Sequence, residues 1–358
     1  MLIYACISAH GFGHGSRSAA VLAALQRLRP HWRLVLSTAL PPSFLATAFA
    51  PLAVQHRPCR WDVGVLQADA LGSDPAATLV ALEQLEGQLP AQLEREAAWL
   101  RAQGEPVLVI GDVPPAAALL AEAVGAPLIW LASFGWDVIY RPFGGPFEAW
   151  AEHCLALYRR GDLLLECPLA MPMPWDIPRR RIGLTAGEPR LELEGLVRQL
   201  QLPDEPDRCA LLTFGGMGLA LDPALLGLWP QWTFLGHDPA LAEADNGRVL
   251  PAEVRPLELM RHCSRLITKP GYSSFCEAMS QNVGIHLVHR DGFAEAPVLE
   301  QALRRHGQHR LLSRADLLAG RWQLDQPLLT PSGQPLPQDG AGSGALAITE
   351  LAEQRGLG

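Results

Sequence analysis

Residues 265–303 constrain the fold more than any other stretch of the chain. A short apolar run (Leu266, Ile267) leads into a turn (268–272) and a helical pattern. A second apolar run (284–288), a polar loop and another helical pattern follow. Strand, loop, helix, strand, loop, helix is the rhythm of a parallel α/β sheet. The first loop carries Lys269, Pro270, Gly271, Tyr272, Ser273 and Ser274, and the helix it feeds carries Glu277. Gly271 is expected to allow a backbone bend that a residue with a Cβ makes only at a cost. The helix start behind it exposes unpaired N–H groups and the positive end of a dipole, which suits a phosphate.

Lys269 is the one lysine among 29 basic residues. A compact ammonium beside a phosphate-sized anion is a physical reason for keeping it, because a planar guanidinium is not its equivalent. Chance survival of one surface lysine is the alternative. Ser274 and Glu277 also fit two readings. Ser-x-x-Glu before an apolar helix is a capping box. In the other reading, Glu277 accepts hydrogen bonds from a ribose diol just beyond the same helix start.

The chain begins on a similar plan. Residues 2–8 are apolar and strand-like, residues 9–16 form a glycine-rich turn, and residues 18–28 have helical spacing. Gly11 and Gly13 match the first two glycines of a dinucleotide fingerprint, but Ser16 stands at the third and no acid ends the next strand. The turn offers two imidazoles instead, His10 and His14. Open α/β sheets bind ligands at the carboxyl ends of their strands. A neutral His14 there can take a proton from a hydroxyl, whereas a helix-start histidine that only bonds backbone is the plain alternative. A His-x-x-x-His metal pair is disfavoured because the turn is not expected to be helical and no third ligand is evident, so no metal is expected.

Residues 106–110 read as a buried strand ending in Gly111-Asp112. Asp112 can hold an imidazole in its useful tautomer, or cap the helix predicted over 116–124. After the next strand (127–131) comes an aromatic and polar segment with Ser133, Phe134, Trp136 and Asp137. It suits either an acceptor wall or loop packing. A strand at 208–213 leads into Gly215 and Gly216, which let backbone N–H groups approach a phosphate or simply make a turn. Glu295, in the polar loop after residue 288, is a candidate for sugar hydroxyls or an exposed first-turn acid.

At 358 residues, with 49% apolar and 18% charged residues, the chain can build two substantial cores. Net charge is −8, so there is no general basic field for nucleic acid. Seven dispersed cysteines without a Cys-x-x-Cys argue against a disulfide framework or zinc site and for a reducing, cytoplasmic compartment. The N-terminus does not read as a signal peptide, and no apolar stretch reads as a membrane span. Peripheral membrane contact through apolar loops stays open. Four prolines between residues 168 and 178 make an extended segment. The expected division is therefore 1–170, a linker at 171–182, a second domain at 183–340 and a final helix in 341–358.

Two α/β halves, a histidine on the first loop and a Lys/Ser/Glu loop in the second half resemble the GT-B glycosyltransferases. More closely, the chain resembles the glycosyltransferase-like region of plant L-arabinokinase and its free-standing bacterial relatives. The residues carrying this are His10-Gly11-Phe12-Gly13-His14, Gln67-Ala68-Asp69-Ala70-Leu71, Asp112-Val113, Trp136-Asp137, Phe214-Gly215-Gly216, Gly271-Tyr272 with Glu277-Ala278, and Asp316-Leu317-Leu318. The likeness to the lipid-linked GlcNAc transferase of peptidoglycan synthesis and to plant UDP-sugar transferases is more distant. The resemblance implies two Rossmann-like doubly wound domains facing across a cleft. It also implies a nucleotide-sugar co-substrate, UDP-linked by preference, with no other cofactor. It puts His14 where the transferases keep their base, Asp112 where the plant enzymes keep its partner, and Glu277 where such enzymes hold the donor ribose. Gly215, Gly216, Lys269, Gly271, Tyr272, Ser273, Ser274, Glu277 and Glu295 become the donor side. His10, Ser133, Trp136 and Asp137 become the side of an unknown hydroxyl acceptor. The donor-reading glutamines of the family are absent, with Ala294-Glu295-Ala296-Pro297 in their place. An inverting, metal-independent glycosyltransferase is the expectation. A non-catalytic sugar-nucleotide binding module and a sugar-nucleotide epimerase of the same architecture are the alternatives.

Overall fold

A computed structural model describes residues 1–66, 72–215, 221–290 and 293–357. The chain divides into two compact units. The first comprises residues 1–185, 293–295 and 337–358, and the second comprises 186–292 and 296–336.

In the first unit the elements run β1 (Leu2–Ile7), α1 (Phe12–Leu28), β2 (Arg33–Thr38), α2 (Pro42–Ala48), β3 (Val54–Pro58), α3 (Pro75–Ala102) and β4 (Val107–Asp112). They continue as α4 (Ala117–Val124), β5 (Leu128–Ala132), α5 (Trp136–Tyr140), α6 (Pro146–Tyr158), β6 (Leu163–Glu166) and β7 (Arg179–Arg181). All pairs are parallel, in the order β3-β2-β1-β4-β5-β6-β7. Every residue of β1 and β5 is buried. That is why they read as unbroken apolar runs: a parallel strand is covered on both faces. α3 passes through Pro90 without ending, and Asp74 caps it by accepting the Ala77 N–H at 2.9 Å.

The second unit has α7 (Leu193–Gln199), β8 (Cys209–Thr213), β9 (Thr233–Gly236), β10 (Gly247–Val249), α8 (Pro256–Met260), β11 (Arg265–Thr268), α9 (Tyr272–Ser280) and β12 (Gly284–Val288). α10 (Glu295–His306, whose first residue is grouped with the first unit), β13 (His309–Leu312) and α11 (Arg314–Leu318) complete the series. Its sheet is also parallel, ordered β10-β9-β8-β11-β12-β13. The chain then returns to the first unit as α12 (Gly340–Gln354), which packs on α1.

These facts correct the expected boundaries. The segment expected as a linker at 171–182 lies wholly in the first unit, and its residues 179–181 form an edge strand beside β6. The units change after Thr185. The helix expected to stand apart at the C-terminus belongs to the first unit. Each sheet reverses its order once, at β1/β4 in the first unit and at β8/β11 in the second. These are switch points, where the loops leave the strand tips in opposite directions and open space for a ligand.

Candidate functional sites at two switch points

In the first unit, Ile7 pairs with Asp112 across β1 and β4, and the Ser8 N–H donates to the Asp112 carbonyl at 3.2 Å. That register sets the Asp112 side chain beside the start of α1. The helix begins at Phe12, so His14 lies on its first turn rather than in an irregular turn, a correction to the sequence expectation. His14, Arg17 and Ser18 share one helix face, being three and four residues apart.

All three reach Asp112. His14 Nδ1 is 2.8 Å from Asp112 Oδ1. Arg17 Nε donates to Oδ2 at 2.9 Å, and its Nη2 donates to Oδ1. The Ser18 hydroxyl donates to Oδ2 at 2.6 Å. Asp112 is fully buried. Burial works to raise its pKa, but the Arg17 guanidinium and the His14 bond outweigh that and hold the carboxyl below its usual range. A carboxylate only accepts, so the neutral imidazole places its proton on Nδ1 and leaves a lone pair on Nε2. α4 is not capped by an Asp112 side chain; its N-cap is Ala116, with no side-chain bond. Asp112 is thus a hydrogen-bond partner of His14 and not a helix cap.

His10 is set the other way. The Val65 N–H donates to His10 Nδ1 at 3.3 Å, so the proton of the neutral ring sits on Nε2. Its ring stacks on Phe293 at 5.7 Å and meets Trp136 edge-on at 5.2 Å. Gly64 lets the chain pass: it has φ +74°, and a Cβ there would come within 2.4 Å of His10 Nδ1. Trp136 is fully buried, with its Nε1 donating to Asp62 Oδ2 at 2.8 Å. Asp137 is buried under Trp175, and burial pushes its carboxyl up to about 6. Ser133 accepts from Arg17 Nη1 at 2.9 Å, and its hydroxyl lies 3.4 Å from Glu295 Oε1. Glu295, expected on the donor side, is grouped with the first unit and buried there.

Three residues here escaped the sequence reading: Arg17, Ser18 and Asp62. Arg17 was signalled by its spacing from His14. Asp62 is a buried acid whose carboxyl is pushed up by burial, against bonds from Ser8 and Trp136 and the nearby His14. Its signal was an acid inside the apolar run 61–66.

In the second unit, Gly215 follows β8 with φ +75°, a left-handed backbone that favours glycine. Lys269 follows β11, and its side chain lies across Gly215. Burial, with Arg290 beside it, pushes the Lys269 ammonium down to about 8. Gly271 is the N-cap of α9. The reason expected for it does not hold: its φ of −159° is extended backbone open to any residue. What the glycine leaves is room, since a Cβ there would have nothing nearer than 3.8 Å. Tyr272 and Ser273 are buried in the first turn, with Ser274 half-buried. Gly216 and the segment 67–71 lie outside the described residues.

The expected capping box is not formed, because the α9 N-cap is Gly271 with no side-chain bond. Glu277 therefore lies well inside the helix. Burial pushes its carboxyl up to about 7, against the pull of Arg255 and with the push of Glu258, although its surface is still partly open. Glu258 is tied down by the N–H groups of Arg190 at 2.6 Å and Leu191 at 3.0 Å and by Arg255 Nε at 2.7 Å.

Two doubly wound parallel units, each with polar groups gathered at its switch point, constitute the GT-B fold of the nucleotide-sugar glycosyltransferases. Solved structures agree. A UDP-glucosyltransferase from Polygonum tinctorium capable of glucosylating indoxyl superposes with a TM-score of 0.63 at 14% identity, covering 99% of this chain and 93% of its own. Phytolacca americana UGT2, in complex with UDP-2-fluoro-glucose and pterostilbene, gives 0.62 at 16%, covering 98% and 94%. In sequence, the chain is 27% identical over 363 residues to L-arabinokinase of Arabidopsis thaliana, covering 97% of this chain. It spans 34% of that relative's length. No family model matches. Among the described residues no helix is long and apolar enough to cross a membrane.

Proposed function

We propose that the protein is an inverting, metal-independent glycosyltransferase that moves a sugar from a UDP-sugar to a hydroxyl acceptor. The observation that carries this is the His14–Asp112 pair at the switch point of the first sheet. Its geometry leaves a lone pair on Nε2, which is what a base needs to take a proton from a hydroxyl. The oxygen that loses this proton attacks the anomeric carbon, and the bond from that carbon to the diphosphate breaks. Attack opposite the leaving group inverts the centre.

In this reading the second unit holds the donor. The start of α9 and Lys269 take the diphosphate, whose charge grows as the bond breaks. Glu277 accepts the ribose hydroxyls. Protein groups then supply the positive charge that a metal supplies elsewhere. The UDP-sugars in the solved structures of like fold favour UDP over other nucleotides as the donor carrier.

The test is UDP release from a panel of UDP-sugars with sugar and aglycone acceptors, in wild type and His14→Ala. The expected result is turnover in wild type, its loss in His14→Ala, and unchanged UDP affinity by calorimetry. Full turnover in His14→Ala would sink the proposal, as would wild-type protein that fails to bind UDP.

A further inference from the structure

Arg17 is a residue at the first switch point that the proposed chemistry does not use. Its guanidinium is fully buried and makes a fork on Asp112, with Nε on Oδ2 and Nη2 on Oδ1. The remaining Nη1 donates to Ser133 Oγ at 2.9 Å, and Nη2 also reaches the Leu131 carbonyl at 3.4 Å. One side chain thus ties the tip of β4 to the tip of β5. Its Nη2 is also only 3.1 Å from His14 Nδ1. Two N–H donors cannot point at each other, so both direct their hydrogens at the shared Asp112 Oδ1.

We propose that Arg17 is a positioning residue that sets the tautomer of His14 by holding Asp112 as an oriented carboxylate. This rests on the reading of His14 as the base. Without Arg17, a fully buried Asp112 would have only neutral donors around it, and a buried carboxyl so placed takes up a proton. A protonated Asp112 donates a hydrogen bond. His14 Nδ1 would then accept, the ring proton would move to Nε2, and the lone pair that faces the acceptor hydroxyl would be gone. The fork matters for geometry and the charge for protonation, so the two can be separated. Lysine keeps the charge and loses the fork; methionine loses both.

The experiment is ¹⁵N NMR of the full chain labelled at histidine, with the His14 signals assigned by their loss in His14→Gln. Donor turnover is measured on the same samples. Wild type is expected in the Nδ1–H form. Arg17→Met is expected in the Nε2–H form, with kcat lowered by about 100-fold and donor KM within about twofold. Arg17→Lys is expected to keep the Nδ1–H form with a loss of about tenfold or less. Should Arg17→Met not fold, Arg17→Gln, which keeps a donor without the charge, takes its place and is expected to shift the tautomer likewise. An uncharged variant that is folded and retains the Nδ1–H signature overturns the proposal. The NMR signal does not depend on turnover, so absence of transferase activity in wild type would count against the function alone and leave the role of Arg17 to the tautomer result.

Discussion

Lys269 lies across Gly215: a methyl group at Gly215 would stand 3.4 Å from Lys269 Cε and 3.7 Å from Nζ. The contact itself is ordinary, but the φ of +75° is not one a residue with a Cβ adopts freely. Gly215→Ala should therefore cost about 1–2 kcal/mol of stability through the backbone. It should also weaken UDP binding by restricting the lysine. Urea unfolding and calorimetry check the two separately. A variant as stable as wild type would show that the loop has another conformation at equal energy.

The same lysine gives a chemical prediction. With its ammonium pushed down to about 8 by burial, roughly half of Lys269 is neutral at pH 8. As the chain's one lysine, it should be acylated by an amine reagent faster at pH 8 than an ordinary lysine and should be protected by UDP. Peptide mass spectrometry reads both. Lys269→Met should lower UDP affinity by about 10- to 100-fold, the worth of a charge-assisted bond, and Lys269→Arg should not restore it fully. Modification unaffected by saturating UDP would place the nucleotide elsewhere.

With Glu277 at the ribose as proposed, nucleotide affinity should depend on pH. The Glu277 carboxyl is pushed up to about 7, and a ribose diol donates best to the ionised form. The difference in UDP affinity between wild type and Glu277→Gln should therefore grow as pH goes from 6 to 8, against the loss of Lys269 charge near pH 8 that both proteins share. The effect on folding has the opposite sign. A raised carboxyl favours the fold in full below its unfolded value of about 4.3, and that contribution is lost as pH rises through about 7. Calorimetric titration against pH, beside thermal melts of both proteins, separates the two slopes. The same pH slope in Glu277→Gln would remove Glu277 from the ribose site.

The central strands were legible because both faces are buried: LIYACI in β1 and the runs at 107–112, 128–132 and 284–288 carry little polar signal to confuse them. Edge strands were not. β3 reads VQHRP and β7 reads RRR, and neither has an apolar run, because an edge strand can face solvent and is kept from pairing by charge. That is how a strand of three arginines passed for linker. The helices of 136–158 were missed because their aromatic residues looked like a binding surface, yet Trp136, Tyr140 and Tyr158 are fully buried. At the site, His14 and Asp112 were legible one at a time from their strand tips. Their partnership with Arg17 depends on a register between β1 and β4 that no local pattern fixes.

α12 offers a choice between two kinds of glue. Arg29–Glu353, Arg355–Asp162 and Arg180–Glu350 (2.7 Å) join it to the first unit by ion pairs whose members are mostly exposed. Pairs of that kind contribute about 0.2–1 kcal/mol each and are screened by salt. On the other face Ala345, Ile348 and Ala352 are fully buried, and Gly344 brings the helix close enough that a Cβ would touch Val21 at 3.5 Å. Emptying a buried isoleucine site costs about 2–5 kcal/mol. Ile348→Ala should therefore destabilise the first unit several times more than Glu353→Ala, and high salt should shift the urea midpoint of wild type only slightly. If Glu353→Ala proved the more damaging variant, the ion pairs and not the apolar seam would be what keeps the returning helix in place.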